Sequence, residues 1–478
     1  MLSVEAWLSG IAERVIETHC ARIFLAGDTA WKLKKPVDLG YLDFVTIERR
    51  RWALERELAF NAAAAPDIYR CIRTVTREAD GLAFDGAGEV VEYALEMRRF
   101  DDAAVLDRTP EAIDGALAEQ LGRTVARAHA GAPATHHGGG SAALGYTIGS
   151  NAGHLRRTGL DVEALIAATD AALAKVAPLL DERAGEGFAR RCHGDLHLGN
   201  ILLEGGRPVL FDCIEFNDRL CEIDVLYDLA FLLMDLQFRG RPDAASRALS
   251  AYLDEAARRF PDSLWEGLAA LPLMQSVRAA VRCHVRWQAG DEEGASAYLA
   301  AAIAHLDPPG PVLCAVGGLS GSGKSTFARE LAPKVGVAVV LRSDEVRKRL
   351  WGAAPTDRLP PEAYTAQEGE RVYGVMLQEA QACLLAGRSV ILDAVFLRPE
   401  ERTAAQELAV HCGLTFTGVW LDTPAEVLRG RVDARTGDVS DADVRVLEAQ
   451  LRREPGPLTW KVIDARGDFA ADAVSLID

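Results

Sequence analysis

The sequence predicts two unlike units in one chain. The first is an α+β unit with a small sheet-rich lobe ahead of a larger helical lobe; the second is an α/β unit on a parallel sheet. Three observations predict it. Asp307-Pro308-Pro309-Gly310-Pro311 can neither continue a helix nor join a sheet, so it breaks the chain. Before the break, strand-like runs give way to Ala-rich helical periodicity; after it, short apolar runs alternate with helical segments. A length of 478 residues leaves room for both, at roughly 100–200 residues per domain.

The opening MLSVEAWLSGIAERVIETH reads as one amphipathic helix and lacks the apolar block of a secretion signal. IFLAGDTAWKLKKPV follows as a hairpin turning at Gly27-Asp28. A helix is expected from Ile47 to Ala64, stopped by Pro66, and a strand from Glu89 to Phe100. From Thr109 to about residue 305 the pattern is helical, with a strand-turn-strand insert near 200–213. These signals place the first domain at 1–305, its lobes meeting near residue 100, a linker at 306–311 and a second domain at 312–478.

In the second domain the order is strand (Val312–Val316), glycine loop, helix (Thr326–Leu331), strand (Val337–Leu341), helices, strand (Ser389–Leu392), helix, strand (Thr415–Leu421), helix. That alternation predicts a parallel sheet covered on both faces. The formal net charge of −17 disfavours nucleic acid and anionic membranes as partners. The part from residue 309 onward, with 20 basic against 24 acidic residues, is close to neutral. No run of 18 apolar residues predicts a membrane span. Nine cysteines without a Cys-x-x-Cys pair fit a reduced, cytoplasmic setting.

Gly318-Leu-Ser-Gly-Ser-Gly323-Lys324-Ser325 fits G-x-x-x-x-G-K-[ST]. Such a loop wraps polyphosphate with backbone N–H groups, here with Ser320, Gly321, Ser322 and Thr326 beside it. Lys324 would reach the β- and γ-phosphates, and Ser325 would ligate Mg²⁺. Ser343-Asp344-Glu-Val-Arg347 lies just past a strand end, where ligands sit in open α/β sheets. There Asp344 could accept a proton from an attacking hydroxyl, with Arg347 holding the acceptor. Val390-Ile-Leu-Asp393 is an apolar strand ending in an acid, placed to hold Mg²⁺. Arg431 and Arg435, on or after a helix beginning near Pro424, could stabilise the transferred charge from a lid. On these motifs residues 311–478 resemble the small P-loop kinases related to gluconate kinase, polynucleotide 5′-kinase and the zeta toxins. The resemblance implies ATP-dependent phosphorylation of a hydroxyl with Asp344 as base.

The second strong motif is His193-Gly194-Asp195-Leu-His197-Leu-Gly-Asn200. Its aspartate and asparagine have the five-residue spacing of a kinase catalytic loop, so one can serve the acceptor hydroxyl while the other binds metal. Pro208-Val-Leu-Phe211 then ends at Asp212, a second metal carboxylate. With Tyr227-Asp228-Leu229-Ala230 and the 121–129 helix, these residues resemble the aminoglycoside phosphotransferase, or kinase-like, family over about 20–290. The resemblance implies that Asp195 is the base, that Asn200 and Asp212 bind Mg²⁺, and that Lys32 or Lys34 contacts the nucleotide, paired with a helix carboxylate; Glu57 is preferred to Glu55, although spacing does not separate them. Both lysines share a strand face, so either fits. Two departures stand out: Asp212-Cys213-Ile214-Glu215 leaves Glu215 as a further acid, and no glycine-rich flap precedes Lys32.

His136-His137-Gly-Gly-Gly reads as a loop, Cys192 as packing, and Trp31, Trp52 and Trp460 as core or lobe-interface residues. The expectation is a bifunctional phosphotransferase using ATP or GTP with Mg²⁺ on a small-molecule hydroxyl acceptor such as a sugar or alcohol. The alternatives are a nucleic-acid kinase in the second domain, or a nucleotide-sensing regulator with one degenerate half.

Overall fold

The computed structural model describes residues 3–40, 42–135, 138–434 and 439–466. Helix α1 (Val4–Ile11) starts at Ser3, whose hydroxyl accepts the Ala6 N–H. It stops earlier than its sequence pattern suggests. Residues 14–17, expected to be helical, form strand β1 (Arg14–Glu17) and pair antiparallel with β2 (Ala21–Ala26). The β-branched pair Val15-Ile16 favours this choice once a partner strand is at hand. Strand β3 (Thr29–Lys34) follows the Gly27-Asp28 turn, then come α2 (Ile47–Asn61), β4 (Tyr69–Glu78), β5 (Gly81–Phe84) and β6 (Glu89–Arg98). The six strands form one sheet in the order β1-β2-β3-β6-β4-β5, with α2 packed on β4 and β6. Trp52 corrects its expectation: it is 46 % exposed on α2, with the Arg56 guanidinium over its ring.

The helical lobe contains α3 (Gly115–Gly131), α4 (Gly140–Leu155) and α5 (Glu163–Gly185). Short strands β7 (Ala189–Arg191), β8 (Ile201–Glu204), β9 (Arg207–Leu210) and β10 (Glu222–Asp224) follow, then α6 (Val225–Phe238), α7 (Pro242–Ala256), α8 (Leu271–Gln288) and α9 (Glu292–Leu306). β8 pairs with β9 and β10 with β7. Helix α6 is buried from Val225 to Leu236 and forms the lobe's axis.

The second unit runs β11 (Leu313–Gly317), α10 (Lys324–Leu331), β12 (Val339–Arg342), α11 (Ser343–Leu350), α12 (Ala366–Leu385), β13 (Val390–Asp393), α13 (Pro399–His411), β14 (Phe416–Asp422), α14 (Ala425–Asp433), α15 (Val444–Leu451) and β15 (Lys461–Asp464). Its sheet is parallel throughout, ordered β12-β13-β11-β14-β15, and β15 carries no strand signal strong enough to have been expected.

The units meet along the β12 edge, which α7 covers. Ser250 Oγ accepts the Val340 N–H at 3.0 Å, and Ser246 Oγ donates to the Ala338 carbonyl at 2.7 Å. Side-chain hydroxyls thus satisfy an edge that would otherwise offer unpaired backbone groups. Arg349 joins Asp254 of α7 (2.7 Å) to Glu379 of α12. One apolar core continues from α7 and α8 into β12 and α12.

Candidate functional sites

The first centre lies between the lobes. Its loop, residues 192–200, is held from below by two acids of α6. Asp228, fully buried, accepts the His193 N–H (3.0 Å), the Gly194 N–H (2.9 Å) and a hydrogen bond with His129 Nε2 (3.1 Å). Asp235, one helical face along, accepts the Leu198 N–H at 3.0 Å. Arg278 donates to the Gly194 carbonyl at 2.8 Å. This buried network fixes the loop before any ligand arrives. Asp228 belongs to the Tyr227–Ala230 likeness, whereas Asp235 and Arg278 carry no signal of their own in the sequence, because helical burial hides polar residues in an apolar pattern.

On this platform Asp195 stays 40 % exposed, and its Oδ2 accepts from Asn200 Nδ2 at 3.0 Å with His197 Nε2 at 3.5 Å. Desolvation works to raise its carboxyl. The charge and hydrogen bond of His197, with His193 and Arg282, outweigh it and hold Asp195 well below the usual carboxylate range. Asp212 stands at φ +60, an unusual conformation for a non-glycine residue, with its N–H donated to Tyr69 Oη at 3.0 Å.

Above them, Lys32 and Lys34 reach inward from β3, and the structure separates the two. Lys32 Nζ lies 2.6 Å from Glu57 Oε1 and 2.7 Å from Asp212 Oδ1, so it borders the centre. Lys34 Nζ is bound by Glu57 Oε2 and Glu215 Oε1, both at 2.6 Å, inside the lobe. Glu57 is completely buried and bridges both lysines, whereas Glu55 pairs with Arg51 at the surface. Burial opposes charge on Lys34, but Glu215 and Glu57 win and push its pKa up to about 12. Glu215 therefore partners a lysine instead of extending the Asp212 set. The β1–β2 turn at Thr18–Cys20 brings His19 within electrostatic reach of Asp195 and Asp212. There burial, then Lys35, lower the His19 pKa, while Asp195 and Asp212 act in the opposite sense. No sequence signal marked this turn, because β1 was masked by a helical pattern.

The second centre is the loop between β11 and α10. Gly318 sits at φ +142, and a Cβ there would meet Ser322 Oγ at 2.6 Å and the Leu421 carbonyl at 2.8 Å. Gly323, at φ +96, turns the chain into α10. Ser322 Oγ is buried without a hydrogen-bond partner inside the loop. Ser320 N–H is held by Gln450 at 2.9 Å, and Lys324 Nζ donates to the Leu319 carbonyl at 2.9 Å.

Ser325 and Asp393 converge. Arg342 Nη2 is 3.1 Å from Ser325 Oγ, and Arg342 Nε is 3.2 Å from Asp393 Oδ2. Arg342 and Asp393 are register partners across β12 and β13. A hydroxyl and a carboxylate already balanced by a cation form an oxygen set that fits Mg²⁺. The loop opens onto a cavity of about 1000 Å³ lined by Asp344, Arg347, Arg445 and Arg453, among others. Asp344 lies in the first turn of α11. Arg347 lies over Tyr364 and donates to the Ala363 carbonyl at 2.5 Å; its Nε is unpartnered. The Val446 N–H lowers the pKa of the Asp443 carboxyl, and Arg445 lies close enough for its charge to help. Arg431 lies on α14 and bonds the Gly321 carbonyl at 3.4 Å and the Ala465 carbonyl at 3.1 Å, which ties α14 to the loop. Arg435, His136 and His137 lie outside the described residues.

Two nucleotide-type centres of different folds make this a tandem phosphotransferase-type protein. The phosphotransferase enzyme family matches residues 44–271, and the AAA domain family matches residues 313–457. An uncharacterized protein of Mycobacterium tuberculosis is 32 % identical over 472 residues, covering 95 % of this chain and 92 % of its own. The chain belongs to that tandem family. A 2-phosphoglycerate kinase of Methanocaldococcus jannaschii is 27 % identical over 148 residues, 26 % of this chain and 48 % of that protein. Among solved structures, a choline/ethanolamine kinase family protein from Mesorhizobium loti is 14 % identical with a TM-score of 0.40, covering 64 % of this chain and 93 % of that one. No helix among the described residues is long and apolar enough to cross a membrane.

Proposed function

We propose that both centres transfer the γ-phosphoryl group of ATP, or of a related nucleotide such as GTP, to a hydroxyl of a small molecule. One observation carries this reading: each centre gathers an acceptor-side carboxylate, an oxygen set for a divalent cation and a lysine for phosphates. In the first centre Asp195 is charged at neutral pH and takes the acceptor proton, Lys32 meets phosphate, and Asn200 and Asp212 would hold Mg²⁺. In the second, residues 318–326 cradle the phosphates with Lys324, Ser325 and Asp393 would hold Mg²⁺, and Asp344 takes the proton. Arg431, with Arg435, stabilises the migrating charge. A Mg²⁺ ion held by these residues would supply positive charge to offset that of the phosphates.

The acceptor of the second centre is acidic. Arg347, Arg445 and Arg453 line the cavity beside Asp344, together with the acids Glu401, Asp441 and Asp443, and these guanidiniums are suited to a carboxylate or phosphate on the molecule whose hydroxyl is phosphorylated. Incubating the full chain with labelled ATP and a metabolite pool, then identifying products by mass spectrometry, tests this. Asp195→Asn should abolish one set of products and Lys324→Ala another. Undiminished turnover in both variants would show that the chemistry lies elsewhere.

A further inference from the structure

The Ser325/Asp393 pair is reached by a line of charges that starts in the other domain. Helix α3 of the helical lobe presents Glu119 and Arg123, one turn apart, to the second unit. Glu119 Oε1 lies 2.5 Å from Arg329 Nη2 on the phosphate-loop helix α10. Arg123 Nη2 lies 3.2 Å from Glu345 Oε1 on α11. The same Glu345 oxygen lies 3.5 Å from Arg342 Nη1, and Arg342 also spans Ser325 and Asp393. Arg342, Glu345 and Asp393 are all buried. Two arginines from two domains thus contest one carboxylate oxygen, and one of them sits on the proposed metal donors.

Placing a divalent cation on Ser325 and Asp393 makes the guanidinium of Arg342 a like charge at close range, in a site with little solvent screening. Arg342 must then give up Asp393, and Glu345, whose Oε1 already lies 3.5 Å from its Nη1, is an acid at hand to take it. How readily Glu345 takes it depends on how firmly Arg123 already holds that oxygen. We propose that Arg342 is an internal counter-cation exchanged for Mg²⁺, that Glu345 receives it, and that Arg123 of the kinase-like domain sets the ease of this exchange. Arg123 and Glu345 are positioning residues: neither touches nucleotide, and both act through Arg342.

This rests on the nucleotide reading of the second centre and makes a prediction that simple packing does not. Removing the Glu345 charge leaves Arg342 on Asp393, so metal binds more weakly. Removing Arg123 frees Glu345 to draw Arg342 away, so metal binds more tightly. The two variants should move in opposite directions, whereas lost packing would weaken both.

The test measures mant-ATP affinity of the full chain in excess Mg²⁺ and in EDTA, using the part of the signal lost in Lys324→Ala. The ratio of the two affinities reports metal coupling. Glu345→Gln should reduce that ratio about tenfold and Arg123→Met should raise it several-fold, with Arg123→Lys restoring the wild-type value. Arg342→Gln, which removes the competing cation and leaves the interface partners in place, should raise it as well; it serves where Arg123→Met fails to fold. Shifts of Glu345→Gln and Arg123→Met in one direction, or no shift in Arg342→Gln, would overturn the exchange while leaving the kinase reading intact. A wild-type chain with no Lys324-dependent response to Mg²⁺ would overturn both.

Discussion

Two lysines two residues apart on one strand share Glu57 but have separable tasks, because each also reaches an acid of its own. Lys32 borders the cleft through Asp212, whereas Lys34 is enclosed with Glu57 and Glu215. Lys32→Met should therefore raise the KM for ATP at the first centre, with a smaller loss of stability than Lys34→Met because Asp212, unlike Glu215, is partly exposed. Lys34→Met leaves two buried carboxylates facing each other and should cost stability, about 3–5 kcal/mol in denaturant titration. Similar losses in both variants would contradict the division. Asp195 carries a related pH prediction. Its folded pKa lies below its ordinary value of 3.8, so its contribution to stability is present above that value and lost only as pH falls through the folded pKa. Its role as proton acceptor should accordingly persist into mild acid, and Asp195→Asn should lower kcat by about 10²–10⁴-fold at every pH where the wild type is folded. Asp195 stands out in the sequence by its spacing from Asn200, and Asp212 by the apolar run that ends at it. The choice between the lysines was not, since it depends on which acids other elements bring near.

At the scale of elements, β11 to β14 announce themselves by apolar runs, but which strands lie side by side does not follow from them. Arg342 belongs to no sequence motif, and its position opposite Asp393 follows from the β12–β13 register, which no local pattern encodes. The β1 strand was hidden because four residues beside an amphipathic helix carry too little periodicity to stand apart. Helix α7 shows the same limit, since its serines look like ordinary helical residues until β12 lies against them. Ser250→Ala removes the acceptor of the Val340 N–H and should lower stability by about 1–3 kcal/mol, measured as a loss in melting temperature. The neighbouring Glu379 gives this junction a pH dependence. Burial raises its pKa to about 7, with Arg349 opposing and Asp254 adding to the rise. An acid with a raised folded pKa stabilises the fold most below its ordinary value of 4.5 and loses that contribution as pH rises through about 7. Between pH 5 and 8 the melting temperature of the wild type should fall relative to Glu379→Gln, and parallel curves would refute the assignment.

For the molecule as a whole, the Pro-rich segment suggested two units joined by a tether, and that picture needs revision in physical terms. Residues 307–311 do separate the elements, but the apolar core, the Ser246 and Ser250 hydroxyls, and the Arg349 and Arg123 ion pairs run across the junction. A tether predicts halves that fold and act alone; a shared core predicts halves that need each other. Residues 312–478 by themselves would expose the β12 edge and the α12 face that the helical lobe covers, a combination that favours self-association. Expressed alone, this half should aggregate or elute as oligomers in size-exclusion chromatography, and co-expression with residues 1–311 should return a stable heterodimer. Charge alone favours neither outcome, since the second unit is close to neutral while the first carries most of the acid. A monodisperse isolated half with full Mg²⁺-dependent ATP binding would show that the two centres are merely fused. Recovery of binding only in the reassembled pair would show that the first domain is a structural part of the second centre.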